Sequence, residues 1–295
     1  YPLKKMLPSH GPIIENPLPQ LQALRNTLRE FNKLYLRGWE VSTFAGADQD
    51  RVSQPTTVPH VWQVTKHLFK FRGPEFWPNF HMILADNGHA LIVDCGLFKK
   101  EFLDKSIALM KERLGLKQID VVLVTHMHGD HIGGLMTEAA PTFANARYVT
   151  GSAEYDHWAM SGNEGFEKNV VPMAEKMSML QDGGSAASGI SAMAAFGHTP
   201  GHMAYRVESA GKSLVIGADF ANHYVWSLAH PDWEVKFDMD KSQAAATRKA
   251  LLGMMAAEKI PFIGYHMPFP ALGFVEEKDS AFRYVPASYQ FMLEG

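Results

Sequence analysis

The stretch Ile119-Asp120-Val121-Val122-Leu123-Val124-Thr125 runs without a break into His126-Met127-His128-Gly129-Asp130-His131. Its first part is rich in β-branched residues and almost continuously apolar, which predicts a strand buried on both faces. Its second part places three histidines and a carboxylate within six residues. Neither a strand nor a helix can aim four such groups at one cation, but a tight loop at a strand end can turn them toward two adjacent ones. Gly129, Gly133 and Gly134 supply backbone freedom for such a loop. Imidazole nitrogen and carboxylate oxygen suit zinc and, less selectively, iron, manganese or cobalt.

The same arrangement recurs downstream. A predicted strand over 191–196 leads into Gly197-His198-Thr199-Pro200-Gly201-His202, where His198 is the expected ligand and His202 a packed or supporting group. A strand over 214–218 ends at Asp219, whose two carboxylate oxygens can bridge two cations. A strand over 260–264 is followed by Tyr265-His266-Met267-Pro268. Four clusters that each follow a short apolar strand can lie on one edge of the sheets.

Around these clusters the chain alternates strands with helices. Residues 80–85 and 89–94 read as two strands joined by the turn Asp86-Asn87-Gly88. Helical spacing covers 21–36, 99–114, 152–160, 166–180 and 241–258, the last with Asp240 placed as its N-cap. Residues 45–59 read as a polar loop, and residues 1–19, with five prolines, as an extended lead-in. A mixed α/β architecture follows, with helices covering stacked sheets.

Composition narrows the function classes. The 295 residues are 46% hydrophobic and 20% charged with a formal net charge of -3, which allows a substantial core and leaves no basic footprint for nucleic acid. No apolar run is long enough to span a membrane. Cys95 is the single cysteine, expected to be a buried, unreactive thiol, so no intrachain disulfide can form. The 14 histidines gather in the motifs above, which puts a metal hypothesis first.

The set His126, His128, Asp130, His131, His198, Asp219 and His266 resembles, in order and spacing, the metallo-β-lactamase superfamily. The resemblance implies an αββα sandwich, two β-sheets flanked by helices. It implies that His126, His128 and His198 hold one metal, that Asp130, His131 and His266 hold the other, and that Asp219 bridges them. Asp94 in Val93-Asp94-Cys95-Gly96 looks like the superfamily's buried aspartate that supports the metal loop, with His202 also outside the ligand set. From about residue 120 onward, Gly197 to His202, the stretch from Asp232 to Asp240, His266-Met267-Pro268-Phe269-Pro270 and Tyr284-Val285-Pro286 are similar to the branch of methyl parathion hydrolase and its lactonase-like relatives. By the same resemblance, Asp219 argues against the β-lactamases proper, which carry a different residue at the equivalent position.

The first 80 residues fit that branch less well. Residues 1–79 are expected to be an extended and helical segment, and 80–295 the catalytic domain. Pro8-Ser9-His10-Gly11-Pro12 resembles the ending of another domain of the same superfamily, so the chain is expected to begin inside a longer or tandem protein or to join segments of two subfamilies. His10 is read as a loop histidine. No basic-then-apolar signal segment follows Tyr1, and the resemblance alone favours a periplasmic or secreted location.

The resemblance implies a dinuclear metal-dependent hydrolase in which a hydroxide between two divalent ions, zinc first with iron, manganese or cobalt as alternatives, attacks a lactone, carboxylic ester or organophosphate ester. Asp130 is expected to orient the nucleophile or shuttle a proton. Trp158, Phe166, Trp226 and Phe269 are candidates for an apolar substrate pocket. The expected partner is a small molecule, not nucleic acid or membrane, and the reading admits a homodimer. Two alternatives stay open: an iron-dependent persulfide dioxygenase or related redox member, and a non-catalytic binding protein that keeps the fold.

Overall fold

The computed structural model describes residues 5–6, 14–35, 53–71, 80–96, 100–137, 140–267 and 271–287. His10, the surrounding Pro8 to Pro12, and Phe269 lie outside the described residues. The chain divides into two compact units, Tyr1–Asp50 and Arg51–Gly295. The first contains an antiparallel pair, Lys5–Met6 with Ile14–Glu15, and the helix Leu18–Tyr35.

The second unit is built on two sheets. The eight-stranded sheet runs, in spatial order, Met177–Leu180, Arg147–Gly151, Gln118–Leu123, His89–Val93, Phe80–Leu84, Leu68–Phe71, Val61–Gln63 and Gln54–Pro55. The seven-stranded sheet runs Ser185–Ala187, Ile190–Ala194, Met203–Ser209, Lys212–Ala218, Phe262–Gly264, Leu272–Lys278 and Ala281–Pro286. The first sheet therefore takes in strands from Gln54 to Phe71, upstream of the expected domain start at residue 80 and partly within the expected loop at 45–59. Each pairs antiparallel with its neighbour, so the sheet extends outward from Phe80–Leu84 through strands that lie progressively earlier in the chain.

Side-chain alternation explains the layering. Val121 and Leu123 face a cluster shared with Met203, Tyr205, Ile216 and Ile263 of the other sheet. Val122 and Val124 face the opposite way, into a cluster with Leu103 and Met110 of the helix Lys100–Arg113 and with Trp158 and Phe166. A third cluster lies on the outer face of the second sheet, where Val215 and Phe262 meet Leu251, Leu252 and Met255 of the helix Lys241–Glu258. Because successive strand residues point to opposite faces, one apolar run fills two layers, which yields the expected αββα sandwich. Asp240 caps the last helix, its Oδ1 accepting from the Gln243 N–H at 2.9 Å.

One predicted helix is corrected. Residues 166–180 are not continuous: the helix Glu164–Asn169 stops, a short 3₁₀ segment spans Val171–Lys176, and Met177–Leu180 joins the edge of the first sheet in parallel. Pro172 in the first turn of the 3₁₀ segment cannot donate a backbone hydrogen bond to a helix running through it.

Register brings the strand ends together. Ala194 pairs with Met203, Tyr205 with Ile216, and Ala218 with Gly264, so the loops after 194, 218 and 264 share one edge. The Met203 N–H donates across the layers to the Thr125 carbonyl at 2.9 Å, and pins the end of Gln118–Leu123 to the same edge. Among the described residues no helix is long and apolar enough to cross a membrane.

Candidate metal centre

The loop after Thr125 is a single helical turn, Gly129–Ile132, with His128 as its extended N-cap. Its glycines serve differently from the expectation. Gly129 has open space where a Cβ would stand, whereas a Cβ on Gly134 would lie 2.4 Å from the Cys95 carbonyl oxygen. Gly134 is therefore needed for close approach of two chain segments.

Two histidines of this loop meet a third from the loop at 197–202. His126 Nε2 lies 3.2 Å from His128 Nδ1, and His198 Nε2 lies 3.1 Å from that same atom. Nitrogens sharing a tetrahedral zinc at ordinary Zn–N distances stand about 3.3 Å apart, so the three match the first position that the resemblance implies. On the other side, His266 Nε2 lies 3.3 Å from Asp130 Oδ2 and 3.1 Å from Asp219 Oδ2. Asp219 Oδ1 lies 3.4 Å from His131 Nε2, and Asp219 Oδ2 lies 3.5 Å from His198 Nε2. Asp219 thus stands between the two clusters. Among the described residues three overlapping groups could each hold an ion: His126, His128 and His198; His126, His131 and Asp219; and Asp130, His131 and His266.

The polar atoms behind the histidines set their tautomers. Asp94 Oδ2 accepts from His131 Nδ1 at 2.8 Å and from Thr125 Oγ1 at 2.9 Å, while its Oδ1 accepts from the Thr125 N–H at 2.9 Å. His131 therefore carries its proton on Nδ1 and turns Nε2 toward Asp219. Thr125 Oγ1, having donated to Asp94, accepts from His126 Nδ1 at 3.1 Å, which leaves His126 Nε2 as a lone pair. Asp238 Oδ1 accepts from His198 Nδ1 at 2.8 Å and does the same for His198. A carboxylate or hydroxyl behind a ligating imidazole is the usual way to fix its orientation.

Two buried atoms test whether the residues fit a cation. His131 Nε2 and Asp219 Oδ1 are both shut off from solvent without a hydrogen-bond partner. Burying such atoms unpaired is costly, and a cation between them would satisfy both. Charge supports the fit. Burial alone would lower the His131 imidazole, but Asp219 and Asp94 push it up to about 10. Burial would likewise lower His266, yet Asp130 and Asp219 carry it to about 9. Burial would raise the Asp219 carboxyl, and His131 and His266 hold it well below the usual carboxylate range. The carboxylates favour positive charge here, whether proton or metal. Burial, with His198 alongside, lowers His128 to about 4, and burial also holds His126 well below its ordinary value, so both are neutral.

Backbone strain sits beside the ligands. Asp94 has φ 50° and Ala218, just before Asp219, has φ 48°. Left-handed backbone at a residue with a Cβ costs on the order of 1 kcal/mol, and here it turns each carboxylate off its strand end. His202 is fully buried, and its Nε2 accepts from the Asp219 N–H at 3.2 Å. Tyr265 Oη donates to the Asp130 carbonyl at 2.6 Å, and its ring lies 3.9 Å from that of His131.

A cavity of about 560 Å³ opens over the cluster, lined by His128, Gly129, Asp130, His198, Asp219, Asn222, Phe237 and His266. Three of the four expected pocket aromatics are absent from this lining, and the fourth, Phe269, lies outside the described residues. Trp158 and Phe166 are buried in the core, and Trp226 is exposed and stacked on His223. Trp158 and Phe166 face inward because their helices use those positions to cover the first sheet. Phe237 and Asn222 line the cavity instead, and neither stands out in the sequence. Glu154, Asp238 and Arg248, which hold the ligand loops from behind, were also missed, although Asp238 lies within the stretch from Asp232 to Asp240. Cys95 is fully buried, and burial pushes its thiol well up, as expected of an unreactive group.

Comparison with known proteins gives a consistent picture. The family model described as the metallo-beta-lactamase superfamily matches residues 76–259. YobT of Bacillus subtilis (strain 168) is 28% identical over 180 residues, 58% of this chain and 70% of that protein. The anti-Pycsar protein Apyc1 of Saccharibacillus brassicae is 39% identical over 57 residues, and that match spans only 21% of its length. Among solved structures, AidC, a dizinc quorum-quenching lactonase in complex with a product, superposes with a TM-score of 0.62 at 23% identity, covering 75% of this chain and 80% of that one. The hydrolase AbOPH gives a TM-score of 0.63 at 18% identity, covering 81% and 99%. At these identities the likeness to the solved structures concerns the fold.

Proposed function

This chain belongs to the metallo-β-lactamase superfamily, and on that premise we propose that it is a dinuclear metal-dependent hydrolase of ester-like bonds. The observation that carries the reading is the pair of clusters meeting at Asp219, with buried His131 Nε2 and Asp219 Oδ1, neither in a hydrogen bond, facing one another at 3.4 Å. His126, His128 and His198 would hold one divalent ion, Asp130, His131 and His266 the second, and Asp219 both. Zinc is the first choice for this donor set. Two such ions supply a lowered water pKa and polarise the oxygen of the scissile group.

The chain's own residues do the rest. Asp130, half-exposed at the cavity, takes the proton of the attacking water and passes it to the departing oxygen. Tyr265 and His266 hold Asp130 in place through its carbonyl and its carboxylate. Asn222 Nδ2 donates to Asp219 Oδ2 at 3.1 Å and keeps that carboxylate turned toward both clusters. Phe237 gives the cavity an apolar wall, and the cavity volume suits a small molecule. The substrate we assign is a lactone, a carboxylic ester or an organophosphate ester; the lactonase among the structural relatives supports the first.

A hydrolysis screen of the zinc-loaded protein tests this. It should cover aryl esters, acyl lactones, organophosphate triesters, phosphodiesters, thioesters and β-lactams, with Asp130→Ala as control. Metal-dependent turnover of an ester or lactone that Asp130→Ala abolishes is the expected result. Redox-active iron with oxygen consumption, or no metal-dependent turnover on any of these, would overturn it.

A further inference from the structure

Glu154 is neither a candidate ligand nor a cavity residue, yet it touches both loops that bring the first histidine cluster together. It stands in the first turn of the helix Ser152–Ala159 and is fully buried. Its Oε1 accepts from the Met127 N–H at 2.8 Å and from Trp158 Nε1 at 2.7 Å. Its Oε2 accepts from Thr199 Oγ1 at 2.7 Å and from the Gly201 N–H at 2.9 Å. Met127 separates His126 from His128, while Thr199 and Gly201 follow His198.

These loops come from different sheets. The loop at 126–131 continues from Gln118–Leu123 of the eight-stranded sheet, and the loop at 197–202 lies between Ile190–Ala194 and Met203–Ser209 of the seven-stranded one. One carboxylate therefore spans the junction that the three histidines must also span. The seat is tight: a Cβ on Gly201 would stand 1.9 Å from the Glu154 nitrogen. All four partners donate, and three of them are N–H groups that cannot reverse. Burial pushes the Glu154 carboxyl up, and these bonds oppose that shift; a carboxylate accepting on both oxygens satisfies all four partners.

We propose that Glu154 is a positioning residue that sets the spacing of His198 from His126 and His128, and through it the affinity for the cation those three would hold. This rests on the dinuclear reading above. Glutamine at 154 must turn its NH₂ toward at least one N–H that cannot accept, so it opens the clamp while keeping the size of the side chain.

The test is titration of the metal-free protein with Co²⁺, followed by its visible absorption and by competition with a chelator. The wild type takes up two ions. Glu154→Gln weakens one of them by about 10- to 100-fold, as loss of groups that orient ligands typically does, and leaves the other near its wild-type affinity. Thr199→Val, nearly isosteric and removing one of the four donors, weakens the same ion by a smaller factor and decides the matter if Glu154→Gln does not fold. Wild-type affinity for both ions in the variants, or equal weakening of both, overturns the proposal. A wild type that binds no pair of ions overturns the dinuclear reading itself, and this inference with it.

Discussion

His198 Nδ1 and Asp238 Oδ1 lie 2.8 Å apart, and the other oxygen of Asp238 accepts from Arg248 Nη2 at 2.8 Å. Arg248 is itself buried and also donates to the carbonyls of Phe220, Pro231 and Trp233. One ion pair thus orients a candidate ligand and ties down the chain segment that carries Phe237. Asp238→Asn keeps the shape but can present its NH₂ to His198 or to Arg248, so cation affinity should fall by about 10- to 100-fold. Asp238→Ala also strips the partner from a buried guanidinium, and chemical denaturation should show a loss of about 3–5 kcal/mol.

Proton release should accompany metal binding. His131, pushed up to about 10, and His266, at about 9, carry protons at neutral pH, and a cation must displace them to reach the nitrogens. Apparent affinity should therefore rise with pH from neutrality and level off as pH passes these values. Calorimetry in buffers of different ionisation heat measures the protons released; an affinity flat between neutrality and pH 9 would contradict the assignment.

Gly201→Ala should displace the loop that carries His198, because the added methyl meets the backbone of Glu154 and not a flexible side chain. Overpacking of this kind costs about 1–3 kcal/mol. Thermal melts should show that loss together with weakened metal binding, whereas Gly129→Ala, in open space, should leave the melting temperature nearly unchanged.

Phe237 is 67% exposed and lines the cavity, so its truncation removes substrate contact and little folding energy. Phe237→Ala should raise KM for apolar esters several-fold, keep both ions bound, and change stability by less than about 0.5 kcal/mol. A KM unchanged for all substrates would show that the apolar wall does not meet them.

The parts of the fold that were legible in the sequence are those written in local pattern. Ile119 to Thr125 reads as a strand because alternate residues fill two cores, and the dense histidines after it mark its end. Asp240 is recognisable as a cap because capping is a three-residue relation. Glu154 reaches the two ligand loops across 27 to 47 residues of chain, Asp238 reaches His198 across 40, and Arg248 reaches its partners across 10 to 28; nothing local distinguishes a clamping carboxylate from a solvated one. Trp158 and Phe166 were misplaced because periodicity shows that an aromatic is buried, not whether it meets a core or a cavity. The strands upstream of residue 80 were missed because they are two to four residues long and broken by Thr65-Lys66-His67.

The central claim is that two cations, held around Asp219, carry the hydrolysis. It is tested most directly by titrating the metal-free protein with Zn²⁺ while following turnover of the best substrate from the screen. The account predicts activity that climbs to a plateau at about two equivalents per chain, as a two-metal site requires. A plateau at one equivalent, or turnover indifferent to zinc, would contradict it.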